Sequence, residues 1–224
     1  MKHTSALLSG CIRAAPIVLG YVPIGLAFGV LARSSGLTTG AVLGMSLMLY
    51  AGSAQFLAVG MIAGGAGFLP ITIATFFINL RHLLMSAALA PHLRRHPLRK
   101  LAFFAHELTD ESFALHSTAF QKGLCPSLGE MVSLNATAQI AWVASTVAGS
   151  LIGGAIPDPA ALGLDFALPA MFIGLLSGRL TDRRQSLVAL TAVILAVAGC
   201  WILPGNWLVV AAASAAAAAW AVKA

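Results

Sequence analysis

Charge is what this chain has least of: Asp, Glu, Lys and Arg make up 9% of its 224 residues, while 59% are hydrophobic. A soluble domain carries roughly a quarter charged residues, so water is excluded as the main solvent for this surface. Cysteine is equally sparse. Cys11, Cys125 and Cys200 stand far apart without CxxC or Cys/His spacing, which argues against a disulfide framework or a zinc site, and no cofactor is expected. Acidic residues number 7 against 13 Lys and Arg, for a formal charge of +6. The excess does not describe a nucleic-acid surface, because the cations sit in short clusters beside hydrophobic segments and read as topology signals. A leader core is missing too. Before the lipoprotein-like Leu8, Ser9, Gly10, Cys11, only Ala6, Leu7 and Leu8 form an apolar run, short of the roughly 7–15 residues such a core needs. The first hydrophobic segment is therefore expected to stay in the mature protein.

Apolar runs of bilayer length are what the chain has in abundance. A helix needs about 20 residues to cross a hydrocarbon core roughly 30 Å thick. About seven segments approach that length: 14–31, 40–64, 68–91, 128–156, 162–180, 187–203 and 207–222. Pro204, Gly205 and Asn206 join the last two as a tight helical hairpin. The expected fold is all-α, a polytopic transmembrane helical protein with broken or re-entrant helices, forming a single transmembrane domain over 1–224. Within it, 92–127 is expected to be a cytoplasmic basic loop plus an interfacial or re-entrant segment. In 101–121, Phe103, Phe104, Phe113 and Phe120 are interrupted by His106, Glu107, Asp110, Glu111 and His116. Taking those side chains through lipid without a polar cavity costs on the order of 10 kcal/mol.

Orientation follows from the placement of Lys and Arg in short loops. With the amino terminus outside, Arg33, Arg94, Arg95, Arg99, Lys100, Lys122, Arg179, Arg183, Arg184 and Lys223 all face the cytoplasm, as does the carboxyl terminus. Asp158 then lies outside, and Lys2 and Arg13 are exceptions. The first segment also carries Pro16, Gly20, Pro23, Gly25 and Gly29. It either kinks as a full span or turns back halfway; in the second case Lys2 and Arg13 would also be cytoplasmic.

Polar residues within the spans are candidates either for function or for helix packing. Thr72, Thr75, Asn79, His82 and Ser86 recur at intervals of three and four and share one helical face. His82 adds a side chain that changes charge near neutral pH. Arg81 projects from a different, apolar face and lies about 15 Å short of Pro91, too deep for comfortable snorkelling. Asp110 and Glu111, expected near the cytoplasmic surface, are its preferred partners, with Asp165 nearer the outer surface. Tyr50, Gly52, Ser53 and Gln55 cluster with two alanines near the middle of the second segment, either as a close packing face or as a point where the helix unwinds. Asn135, Gln139, Trp142 and Thr146 form another stripe, read first as packing. Asp165, shortly before Pro169, either favours a helix N-terminus or binds a proton. His106 and Glu107 lack the second histidine of a zinc protease motif. His92 and His96 sit in the basic loop without an acidic or thiol ligand.

In combination, YAGSAQF at 50–56, NLRHLL at 79–84, ALAPHL at 88–93, TDESFAL at 109–115 and DFALPAMFI at 165–173 resemble the AzlC family, in the family's own order. The resemblance implies a bacterial inner-membrane, multi-pass permease that exports branched-chain amino acids with a smaller AzlD-type membrane partner. Relatives are also thought to export methionine. One methylene in an apolar pocket is worth only about 1–3 kcal/mol, so breadth among valine, leucine, isoleucine and methionine is physically reasonable. The resulting expectation is alternating access, with no catalytic chemistry, in exchange for a proton. The binding or coupling residues are expected to be Pro23, Tyr50, Gly52, Ser53, Gln55, Asn79, Arg81, His82, Asp110, Glu111 and Asp165. Two rival readings are a non-transporting sensor or partner subunit, and an intramembrane enzyme built on His106, Glu107 and Asp110, which lacks an evident nucleophile.

Overall fold

The computed structural model describes residues 2–156, 161, 163, 166, 170, 173 and 183–202. Packing divides the chain into two compact units, Met1–Leu168 and Pro169–Ala224. The described residues are helical, with no strand among them, in a polytopic membrane protein. In the second unit, α9 (Arg183–Ile202) covers most of the expected sixth segment. The seventh segment and its 204–206 turn lie outside the described residues. So does most of the fifth segment, Asp165 included.

The first unit contains α1 (Lys2–Arg13), α2 (Ala15–Ser34), α3 (Thr39–Met48), α4 (Gly52–Ala63), α5 (Phe68–Leu93), α6 (Leu98–His106), α7 (Asp110–Gln121) and α8 (Leu128–Gly153). Three of these, α2, α5 and α8, are long and apolar enough to cross a bilayer. Their outer faces carry Leu19, Phe76, Leu83, Leu84, Ile140 and Leu151, all more than half exposed, a surface suited to lipid rather than to water.

The closest helix pair is α2 against α8, running parallel. Gly25 and Gly29 on α2 meet Ser145, Thr146 and Ser150, while Gly149 and Gly153 on α8 meet the backbone of Leu26 and Val30. Small residues at i, i+4 on both helices let the two backbones touch, the usual route to tight association where lipid removes any hydrophobic drive between helices. This contact also decides the first segment. It does not turn back at half depth: α2 runs unbroken from Ala15 to Ser34 with Pro23 inside it. Pro16 occupies the first helical turn, where its missing N–H is harmless. Pro23 lies on the exposed flank, away from α8, so any bend it imposes disturbs no packing.

The expected second span is not one continuous helix. Its halves α3 and α4 are too short to cross a bilayer alone and fold back on each other. The Gln55 amide nitrogen donates to the Ser46 hydroxyl at 3.2 Å, although a straight helix would hold those residues about 14 Å apart along its axis. Val42 and Val59, one from each half, share a buried cluster with Phe28 and Phe56. At the tip, Tyr50 has φ +24, a left-handed conformation uncommon for a side chain of this size.

A second hairpin joins α6 to α7. Phe104 and His116 stack obliquely with ring centroids 5.4 Å apart, where an uninterrupted helix would separate them by about 18 Å. Thr109 opens α7 through a reciprocal capping box with Ser112, and the tip residues Glu107, Leu108 and Thr109 are all buried. The open end of this hairpin is anchored near the end of α5 and the start of α8, where His92 stacks on Phe120 at 4.2 Å and Leu93, Leu101 and Leu128 share a cluster.

The two hairpins enter from opposite ends. Thr39, at the start of α3, bonds Ser150 near the end of α8 at 3.0 Å. Arg13 on α1 instead pairs with Glu130 near the start of α8 at 2.7 Å, and an apolar cavity at that end is lined by Leu7, His96, Arg99, Lys100 and Leu128. The amino-terminal helix thus shares an end with the 94–100 cluster, and Arg33 sits at the other. This overturns the expectation that the amino terminus lies opposite the basic loop. Two crossings, not three, separate them, and Arg13 ceases to be an exception. In a chain with Cys11, Cys125 and Cys200 replaced by alanine, Lys2→Cys and Arg95→Cys are expected to react with an impermeant maleimide from one side of the membrane and Gly36→Cys from the other. Labelling of positions 2 and 95 from opposite sides would refute this topology.

Candidate functional site

The tips of both hairpins arrive at the middle of the long helices, and the deeply placed charges gather there. Arg81, near the centre of α5, pairs with Asp110 through Nη1 at 2.6 Å and donates through Nη2 to the Ser53 hydroxyl. One guanidinium therefore ties α5 to the first turn of α4 and the first turn of α7, using its fork of donors. The pair lies at half depth, not near the membrane surface where Asp110 and Glu111 were expected. The reason is that the hairpin carries them inward, so no carboxylate has to cross lipid unaccompanied.

From α2, the Tyr21 hydroxyl donates to Glu111 Oε2 at 2.7 Å and lies 2.9 Å from the Thr109 hydroxyl. Tyr21 stacks edge-on against Trp142, with ring centroids 5.1 Å apart. Tyr50, at the other tip, is buried, with Tyr21, Glu107 and Glu111 near its hydroxyl. Glu107 is 3% exposed and has no ion-pair partner among the described residues. Its two carboxylate oxygens lie 2.9 and 3.2 Å from one end of the Gln139 amide, whose other end reaches the Leu47 carbonyl at 3.4 Å. Gln139 therefore touches both hairpins.

Of the α8 stripe foreseen in the sequence, Asn135, Trp142 and Thr146 are buried and Gln139 is half-buried. Asn135 bonds His116 at 2.8 Å, the Trp142 indole donates to Gln55 at 2.8 Å, and Thr146 and Ser46 share a hydrogen bond of 2.9 Å. Gln55, fully buried, is the bracket that closes the α3–α4 hairpin. Gly52 lies under the Trp142 ring, where a Cβ would come within 3.1 Å of the indole. The first turn of α4 begins after Ala51, which offers no side-chain cap to the amides of this turn.

Of the expected site residues, Tyr50, Gly52, Ser53, Arg81, Asp110 and Glu111 are brought together, with Gln55 directly behind them. Asn79 and His82 are half-buried neighbours on α5, and Asn79 Oδ1 and His82 Nε2 are buried without partners among the described residues. Thr72 and Thr75 on the same stripe bond their own helix backbone. Pro23 does not join, and Asp165 lies outside the described residues. Missing from the expected set were Tyr21, Glu107 and Gln139. Tyr21 and Tyr50 are the chain's two tyrosines, and a phenol in mid-span was the signal that marked Tyr21.

Comparison with known proteins agrees with a membrane protein. Residues 16–156, which contain every element of the tip cluster, match the family described as AzlC protein. The chain belongs to the AzlC family. It is similar to the inner membrane protein YgaZ of Escherichia coli K12, 30% identical over 203 residues that cover 88% of this chain and 82% of that one. It also resembles the branched-chain amino acid transport protein AzlC of Bacillus subtilis, 27% identical over 88% of this chain and 77% of the relative. An uncharacterized membrane protein of Archaeoglobus fulgidus is 32% identical over 82% of this chain and 80% of its own length. No solved structure matches. As a member of the AzlC family the chain has a role in membrane transport.

Proposed function

We propose that this AzlC protein exports branched-chain amino acids, namely valine, leucine and isoleucine, together with methionine, across a bacterial inner membrane in exchange for a proton. A small AzlD-type membrane protein is its partner, and the basic end that carries Arg94, Arg95, Arg99 and Lys100 faces the cytoplasm. The observation that carries the reading is the meeting of two oppositely inserted hairpins at half depth around Arg81, Asp110, Glu107 and Glu111. Such an arrangement suits a zwitterion. The uncapped first turn of α4, with Ser53 and Arg81, favours a substrate carboxylate. The acidic tip of the α6–α7 hairpin favours its ammonium group. Hairpins that each pack as a separate element are also suited to move against α8 alternately, opening the site to one end and then the other.

The role expected of Pro23 as weakened backbone passes to the break at Tyr50 and Ala51, where the helix is already open. Counterflow of labelled valine, leucine and methionine into proteoliposomes, made with and without the co-expressed partner, tests the function. Valine exchange with the partner present, enhanced by an opposing proton gradient, is the expected result. Absence of any amino acid flux under those conditions would defeat the transport assignment.

A further inference from the structure

The three carboxylates at the centre are not equivalent. Asp110 is neutralised by Arg81, and Glu111 accepts from Tyr21 and is half-buried. Glu107 is the most enclosed of the three and faces an amide, not a cation. An ionised carboxylate in that position is costly unless a positive charge joins it; otherwise it holds a proton. The Gln139 amide fits both conditions. With its nitrogen on the Leu47 carbonyl, its oxygen faces Glu107 and needs a hydroxyl donor, which the protonated acid supplies. Turned over within the same volume, the amide gives up the Leu47 bond and donates to both Glu107 oxygens, which suits the carboxylate.

We infer that Glu107 is the exchange point at which a proton and the substrate's ammonium group replace one another, with Gln139 positioned to report the exchange from one hairpin tip to the other. The inference rests on the transport reading above. The balance is simple: the protonated acid loses its proton to water, and the carboxylate so formed pairs with the incoming ammonium. No bond other than O–H breaks, and one positive charge leaves the site as one enters. Occupancy by proton or by substrate is then mutually exclusive, which is what obligatory exchange requires.

Other charged and titratable groups lie around this point. Tyr50, from the first hairpin, is within electrostatic range of both Glu107 and Glu111. Tyr21 approaches from α2, and Arg81 and His82 from α5, where both act on Asp110. His106 is the neighbour on the hairpin itself, and α8 contributes the neutral Gln139. None of these pairs with Glu107 at ion-pair distance.

Calorimetry of L-valine binding to the full chain with its co-expressed partner, in two buffers of different ionisation enthalpy, reads the exchange directly. Close to one proton should be released per valine bound on the acid side of the Glu107 transition, and affinity should fall about tenfold per pH unit there. Glu107→Gln is expected to release no proton and to bind weakly and independently of pH, while Glu107→Asp keeps both signatures at a displaced pH. Valine binding by the natural chain without proton release would overturn the inference and leave transport standing, as would undiminished proton release from Glu107→Gln. The first of those measurements needs no variant to fold. Failure of the natural complex both to bind valine and to exchange it would instead remove the transport reading, and this inference with it.

Discussion

Replacing Arg81 with alanine is expected to abolish the proposed amino acid exchange and to lower the stability of the protein by about 2–4 kcal/mol. The guanidinium makes the ion pair with Asp110 and the hydrogen bond to Ser53 from two different nitrogens. Its loss strands a carboxylate at half depth and cuts the link between α4, α5 and α7. Breaking a buried pair by deleting one partner costs about 3–5 kcal/mol. The side chains here retain 28% and 24% exposure, so solvent screening brings the cost to the lower end of that range and below it. Thermal unfolding in detergent measures the stability, and counterflow measures the function.

A second substitution separates the two effects. In Arg81→Ala/Asp110→Ala no unpaired charge remains, so most of the lost stability should return, while on the proposed function exchange stays absent because the cation proposed to meet the substrate carboxylate is gone. Arg81→Lys should also fail in counterflow, since one ammonium on a flexible stem cannot hold the fixed two-pronged geometry. Full exchange by the double variant would show that the pair is a structural tie and nothing more.

Much of this arrangement could be read from the residues, and the part that could not has a definite cause. The long apolar runs marked α2, α5 and α8 because length and hydropathy are local properties. Arg81 pointed to Asp110 because a cation in mid-span needs a counter-charge and few carboxylates exist. The 40–64 segment, by contrast, has the length and composition of a crossing. What makes it a hairpin is tertiary: Gln55 bonds Ser46 and Trp142, and Gly52 leaves room for the indole. Counting that one segment as a crossing reversed the side assigned to the amino terminus, since topology depends on parity. Glu107 and Gln139 were visible as polar residues, yet their meeting joins different helices and no spacing rule reports it.

The same geometry explains why few charges suffice. The α6–α7 hairpin alone brings Glu107, Asp110 and Glu111 to half depth. The uncapped α4 turn adds partial positive charge from backbone alone. Trp142 and Gln139, both on α8, meet Gln55 of one hairpin and Glu107 of the other. The proposed alternating access needs a fixed scaffold as well as moving hairpins, and the backbone contact of α2 with α8 suits that scaffold.

Gly29→Val and Gly149→Val should therefore be among the most damaging substitutions in the chain, although neither glycine lies in the site. A Cβ on Gly29 would land on the Thr146 carbonyl oxygen, and one on Gly149 on the Leu26 carbonyl oxygen. These are backbone atoms on the facing helix, so no side chain can rotate away. The helices must separate instead, and with them go the Ser46–Thr146 and Gln55–Trp142 bonds that hold the first hairpin against α8. Overpacking in a well-filled interior costs about 1–3 kcal/mol even when neighbours can adjust; with backbone on both sides the cost should exceed about 3 kcal/mol, a fall of more than about a hundredfold in the folded-to-unfolded ratio. Gly20→Val is the matched control, because Gly20 is on the same helix and a Cβ placed there would meet nothing within 4 Å. The monodisperse fraction after detergent extraction should collapse for the first two and stay near the natural value for the third. Normal yields of Gly29→Val and Gly149→Val would mean that α2 and α8 do not meet backbone to backbone.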